Sequence, residues 1–160
     1  MLRTDILCVG KIKEESVRAL IAEYSKRLGV YTTLRIIEVK DEKTPENCSE
    51  VEKAKILQTE GERLAAYLEE RSCKIILAVE GKQLSSEAFA DYIQEQQNLS
   101  VSHLQFLIGG SLGLDEKLKQ CADLKLSFSK MTYPHQLMRV ILLEQIYRAH
   151  KIMRKEPYHK

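Results

Sequence analysis

Apolar residues along the chain come in short runs that alternate with longer stretches where they recur every three or four positions, the pattern of strands alternating with helices. Residues 4–10, TDILCVG, predict a strand ending at Gly10. Over 14–29, Val17, Leu20, Ile21, Tyr24 and Leu28 share one helical face, and Gly29 supplies a C-terminal stop. Residues 32–39 predict a second strand, and 41–50 a polar loop around Pro45. From Ser49, a good N-cap residue, a helix is expected to run to about residue 70. CKIILAVEG, 73–81, predicts a third strand buried on both faces. A helix over 84–97 follows, with Ser86 as its N-cap, then a strand over 102–110 and a short helix over 114–122. A fifth strand over 124–129 leads to a long helix that begins near Pro134, a residue favoured in a first turn, and reaches about residue 154. No linker, repeat or low-complexity segment interrupts the order. The pattern predicts a single α/β domain over 1–160 with a mainly parallel sheet and helices on both faces.

In such sheets ligands bind beyond the carboxyl ends of the strands. VEGKQLSS, GGSLGL and FSKMTYPHQ end the third, fourth and fifth strands and are rich in small or polar residues. Strand–helix loops often have this composition, so the signal is that three consecutive strand ends share it. Gly109 and Gly110 allow either a tight turn or a close backbone approach to a ligand. Their G-G-x-x-G spacing, late in the chain, is not the early G-x-G-x-x-G of dinucleotide-binding folds.

Composition narrows the class. With 160 residues, 44% hydrophobic and 30% charged, the chain suits one soluble domain. No apolar run approaches the roughly 18 residues of a membrane span, and the start lacks a signal-peptide pattern. A cytoplasmic protein without membrane attachment is expected. Cys8, Cys48, Cys73 and Cys121 are scattered, without paired spacing to one another or to histidine, so they read as free thiols and no metal site is expected. The net charge of +2 hides an asymmetry: residues 125–160 carry eight Lys or Arg against two acids, leaving −4 on the rest. A basic end suits a polyanion such as nucleic acid, or is a solvated basic helix.

Several residues near these loops have both a plain and a chemical reading. Lys130 is a surface lysine or a ligand contact, and Thr132 a helix cap or part of the site. His135 falls in the first turn of the last helix, where the dipole disfavours its protonation. Arg139 lies on the stripe of Leu143, Ile146, His150 and Met153, so it snorkels, pairs across an interface, or meets a phosphate. That helix is apolar on two sides, more than one sheet face covers, and a second subunit is the natural cover. Tyr158, His159 and Lys160 form a tail suited to a base and a phosphate, or a plain terminus. No Ser-His-Asp order, H-E-x-x-H or G-x-x-x-x-G-K-[ST] supports hydrolase or NTPase chemistry.

LIGGSLGL, then LSFSKMTYPHQLMRVILLEQIYRAHKI, then the terminal YHK resemble the ribosomal RNA large subunit methyltransferase H family of small SPOUT methyltransferases. ILCVGKIKE, AEYSKRL, DEKTPEN and VEGKQLSSEAFA match as well, so the resemblance spans essentially the whole chain and is most specific over the last 55 residues. It implies an α/β fold with a C-terminal trefoil knot, an exception to unknotted topology. It implies S-adenosylmethionine as methyl donor, held by Leu77, Gly109, Phe128, Ser129, Lys130, Met131, Thr132 and Tyr133. The implied reaction is methylation of N3 of a pseudouridine in helix 69 of 23S ribosomal RNA, on the assembled 70S ribosome. His135, Arg139, Tyr158 and His159 would position the substrate in a homodimer that brings one subunit's tail to the other's cofactor. Two other readings compete: an RNA-binding module without chemistry, and a flavodoxin-like nucleotide enzyme. The second needs a phosphate cradle after the first strand, and VGKIKEES lacks the hydroxyl-rich pattern. Binding of S-adenosylmethionine separates the first from the methyltransferase.

Overall fold

A computed structural model describes residues 1–160. Strands β1 (Leu2–Val9), β2 (Thr32–Val39), β3 (Cys73–Gln83), β4 (His103–Ile108) and β5 (Leu124–Ser127) form one sheet in the order β2-β1-β4-β3-β5. All four pairings are parallel, as strands joined by helical crossovers require. Helices α1 (Glu15–Leu28), α3 (Ser86–Asn98) and α5 (His135–Met153) cover one face; α2 (Glu50–Ala65) and α4 (Glu116–Gln120) cover the other. The alternation along β1 feeds both cores. Ile6 and Cys8 join Phe89, Ile93, Phe106, Leu142 and Ile146, whereas Leu7 and Val9 join Leu64, Leu107 and Leu118. This is the predicted α/β architecture.

Local details depart from the sequence pattern where tertiary partners intervene. The second helix ends at Ala65, not near residue 70, because buried Gln105 takes over the backbone beyond it. The Gln105 side-chain amide donates to the Tyr67 carbonyl at 2.8 Å and accepts from the Glu69 N–H at 2.9 Å. The N-cap of α3 is Ser85, whose hydroxyl accepts from Ala88 N–H at 3.0 Å; Ser86 instead donates to Gln145 on α5. Gly29 closes α1 with right-handed backbone, so no left-handed cap is involved. Pro134 is the N-cap of α5 rather than a first-turn residue, and Thr132 does not cap the helix. The third strand is buried only over its first half: Val79 and Glu80 are exposed where the strand bulges away from β5 between Leu77 and Lys82. Residues 79–83 therefore continue a strand and are not a loop.

The last helix is covered mainly from within the chain. Leu142, Leu143, Ile146 and Ala149 are buried against α1, α3 and the sheet, which accounts for much of the surface that the sequence pattern assigned to a second subunit. Leu137 stays exposed, with Val79, Met131 and Tyr133.

Near the amino edge of the sheet lies a buried polar layer. The Asp5 carboxylate, 1% exposed, accepts from Arg35 at 3.0 and 2.7 Å, from His103 Nε2 at 2.7 Å and from Gln105 at 3.0 Å. His103 Nδ1 faces Glu69 at 3.2 Å. Burial alone would raise the Asp5 pKa, but the hydrogen bonds from Arg35, Gln105 and His103 together hold it below the ordinary carboxylate value. Its stabilising contribution is thus complete above the unfolded value near 4 and is lost as pH falls through the lower folded value. Asp5→Ala strips an acceptor from three buried or half-buried donors and is expected to cost about 3 kcal/mol in urea unfolding at pH 7. The gap between wild type and variant should narrow steadily below about pH 4.

Candidate functional site

The carboxyl ends of β3, β4 and β5 enclose an open cleft of about 130 Å³, lined in the main by apolar side chains. Its walls come from Leu77, Ala78 and Val79 of β3, from Ile108 and the turn after β4, and from the segment between β5 and α5. That turn closes tightly: Gly113 N–H donates to the Gly110 carbonyl at 3.1 Å, and Gly113 has φ +88°. A Cβ on Gly109 would lie 2.2 Å from the Gly113 carbonyl oxygen, so no larger residue fits there without moving the turn. After β5, Ser127 Oγ donates to the Ser129 carbonyl at 2.9 Å and Met131 N–H to Ser129 Oγ at 3.0 Å. These short-range bonds shape the segment that the cleft uses.

Of the eight positions assigned to cofactor contact, Leu77, Gly109, Phe128, Ser129, Met131, Thr132 and Tyr133 line this cleft. Lys130 is exposed and does not line it. Residues not assigned to cofactor contact complete the wall: Ala78, Val79, Ile108, Leu126, Ser127 and Met138, with Gly110 and Gly113 of the turn. Met138 was legible in principle, since it stands one turn beyond His135 on the same helix. Glu60 of α2 gave no sequence signal. It is buried beside Gly110, where a Cβ would lie 3.5 Å from its Oε1, and its Oε2 accepts from Glu42 N–H at 3.0 Å. Burial raises its pKa. This carboxyl sits between the glycine turn and the segment after β2 and bonds to the latter.

His135 lines the cleft as the first residue of α5. Burial pushes its pKa down and the Arg139 charge adds to the fall, with Asp41 opposing both, so the imidazole is neutral at pH 7. Arg139 does something other than the sequence suggested. It is 2% exposed and neither snorkels nor crosses to another chain. Its guanidinium donates to Glu38 at 2.6 Å, to the Val9 carbonyl at 3.1 Å and to the Gly10 carbonyl at 2.6 Å. It is a clamp on the carboxyl ends of β1 and β2, not a group free to meet substrate.

Tyr158 and His159 do not line the cleft of their own chain. Tyr158 donates to Glu144 at 3.0 Å and packs edge-on against Tyr147 at 4.9 Å; burial and then Glu144 push its pKa up to about 12. His159 Nδ1 lies 3.0 Å from Arg148, which can only donate, so the proton sits on Nε2 and is donated to Glu87 at 2.6 Å. The basic end is also partly neutralised, since Arg139, Arg148 and Lys151 pair with Glu38, Glu144 and Glu156. Asp5, Glu69 and His103 approach one another closely enough for a metal ion, but the Asp5 oxygens are already occupied by Arg35, His103 and Gln105.

Comparison with known proteins agrees with this geometry. A family model described as predicted SPOUT methyltransferase matches residues 2–159. A protein of Bifidobacterium animalis subsp. lactis named ribosomal RNA large subunit methyltransferase H is 55% identical over 159 residues, covering 99% of this chain and 100% of its own. One of the same name from Carboxydothermus hydrogenoformans is 56% identical over 155 residues, covering 97% and 98%. A Methanococcus maripaludis protein bearing that name as putative is 54% identical over 155 residues, covering 97% and 98%.

The clamp and the reaction are separable by experiment. Arg139→Ala should lower stability by about 3 kcal/mol in denaturant unfolding, because Glu38 and two strand-end carbonyls lose a buried donor. Lost turnover with wild-type stability would instead assign Arg139 to the reaction.

Proposed function

This chain belongs to the SPOUT methyltransferase family, and from that premise we propose that it methylates 23S ribosomal RNA with S-adenosylmethionine, at N3 of a pseudouridine in helix 69 on the assembled 70S ribosome. The observation that carries the reading is the convergence of seven assigned cofactor positions, drawn from three strand ends, on one cleft. The cleft suits the donor physically. Leu77, Ile108, Leu126, Phe128 and Met138 offer apolar walls, and the Gly109–Gly113 turn offers bare backbone for a polar rim. S-adenosylmethionine supplies an activated methyl group on a sulfonium sulfur, so the protein's share is alignment of the base and a route for its N3 proton.

His135, neutral and at the mouth of the cleft, is assigned to the base. Tyr158 and His159 are assigned to it as well, from the partner of a homodimer. Two features support action in trans: neither Tyr158 nor His159 lines the cleft of its own chain, and exposed Val79, Met131, Tyr133 and Leu137 offer apolar surface near the cleft mouth. Arg139 supports the site through the strand ends it clamps. The trefoil knot belongs to the same reading; β5 pairs with β3 on both sides of its bulge, at Leu77 and again at Lys82. A metal has no part in this proposal, and the site is read as cytoplasmic.

Labelled S-adenosylmethionine, offered with 70S ribosomes, 50S subunits and naked RNA from a strain lacking the modification, tests substrate and donor together. Label on the helix 69 pseudouridine, strongest with 70S, is the expected result; cofactor binding without label would reopen the substrate. Deleting residues 158–160 should abolish transfer while leaving cofactor affinity within about twofold, and undiminished turnover would remove the tail from the mechanism. Gly109→Ala should weaken cofactor binding at least about tenfold by calorimetry, since the turn must shift to admit the methyl group.

A further inference from the structure

Far from the cleft, the end of α1 and the last turns of α5 hold a group of cations over tyrosine rings that the cofactor reading leaves unused. Arg27 lies over Tyr24 and Tyr147, Arg148 over Tyr158, Lys151 over Tyr31 and Tyr147, and Arg154 over Tyr31. Three of these four have an acid of their own: Arg27 pairs with Glu23, Arg148 with Glu144 and Lys151 with Glu156. Arg154 has none. Its guanidinium is exposed, rests 4.7 Å from the Tyr31 ring centroid, and its nitrogens make neither an ion pair nor a hydrogen bond.

The surface beneath it is fixed. Tyr31 is 7% exposed, stacks on the His150 ring at 5.4 Å and 15°, and bonds through its hydroxyl to Glu156. An arginine held on a buried ring loses little freedom when an anion arrives, and its planar fork suits two oxygens of one phosphate. Lys155 stands beside it, also without an acidic partner, in the left-handed conformation at φ 55°. Lys155 N–H donates to the Ile152 carbonyl at 3.0 Å and Glu156 N–H to the Lys151 carbonyl at 2.9 Å, the paired bonds of a helix cap that ordinarily takes glycine. Those bonds occupy helix-end carbonyls that would otherwise repel an anion.

We propose that Arg154 and Lys155 hold a backbone phosphate of the substrate RNA, next to the tail that follows them. The inference rests on the reading of the protein as an RNA methyltransferase. The site gives the basic end a specific purpose after pairing has neutralised Arg139, Arg148 and Lys151. It anchors backbone and carries no sequence information, since phosphate contacts set register and not base identity.

The test uses the full-length protein and ribosomal particles as methyl acceptor, comparing wild type with the double variant Arg154→Gln/Lys155→Gln between 50 and 200 mM salt. The expected result is a KM for the particles raised about five- to twentyfold, and a log–log salt slope shallower by about 1 to 2. S-adenosylmethionine affinity, thermal midpoint and kcat at saturating particles should match wild type. Arg154→Lys with Lys155 intact should restore most of the KM, since it keeps the charge and loses only the fork. An unchanged KM and slope would overturn the phosphate site while wild-type methylation keeps the RNA reading intact. A fall in cofactor affinity or thermal midpoint accounting for the KM change would also overturn it. Wild type that methylates no RNA would fell the parent reading and this site with it.

Discussion

The Arg139 guanidinium reaches from the second turn of α5 to the Glu38 carboxylate and to the carbonyls of Val9 and Gly10, fixing that helix to the carboxyl edge of β1 and β2. The position of His135 follows from it, as does the angle at which the segment after β5 enters the helix. Glu38 is shared, since its Oε2 also accepts from Ile12 N–H at 3.2 Å, so the loop after β1 is set by the same carboxylate. The arrangement carries a cost. Arg139 Nε is buried without a partner, and such an orphaned donor opposes folding by about 1–3 kcal/mol. A charge kept in that condition is there for geometry more than for stability.

The order and type of every element were legible in the sequence, because a period of two against one of 3.6 survives whatever the tertiary context adds. Strand order was not, since nothing local says that β1 lies between β2 and β4. The misplaced boundaries have a common origin. Gln105 is 36 positions or more from the backbone it satisfies beyond α2, and Ser86 is not the N-cap because Gln145 on another helix engages it. At the site, the glycine turn and the small residues after β5 announced themselves by composition. Arg139 was visible as an anomaly on an apolar stripe, but its partners lie about 100 to 130 residues away. Glu60 was invisible, because a glutamate in an amphipathic helix looks solvated until the structure shows what sits over it.

One helix links the two chemically distinct ends of the molecule. α5 begins at the cleft, which its His135 and Met138 line, and finishes beside Tyr31 at the opposite edge of the sheet, among cations and tyrosine rings. Arg148 gathers the second end by itself, bonding to Glu144 and to His159 while lying over Tyr158. The tail is consequently an ordered extension of the helix, not a loose terminus. Such rigidity would suit the substrate contact proposed for Tyr158 and His159, because a preordered contact loses little entropy on binding.

The buried polar layer around Asp5 has a consequence for how the chain is made. β1 pairs with β4 as well as with β2, so one edge of β1 stays open until residues 103–108 have been synthesised. An open strand edge invites pairing with another chain, and contacts this distant in sequence form slowly. During that interval Asp5 has Arg35 available but neither His103 nor Gln105. A carboxylate in the middle of β1, just before its apolar half, discourages wrong partners while the right one does not yet exist. The same group that later knits three strands together first serves as a guard on the nascent chain.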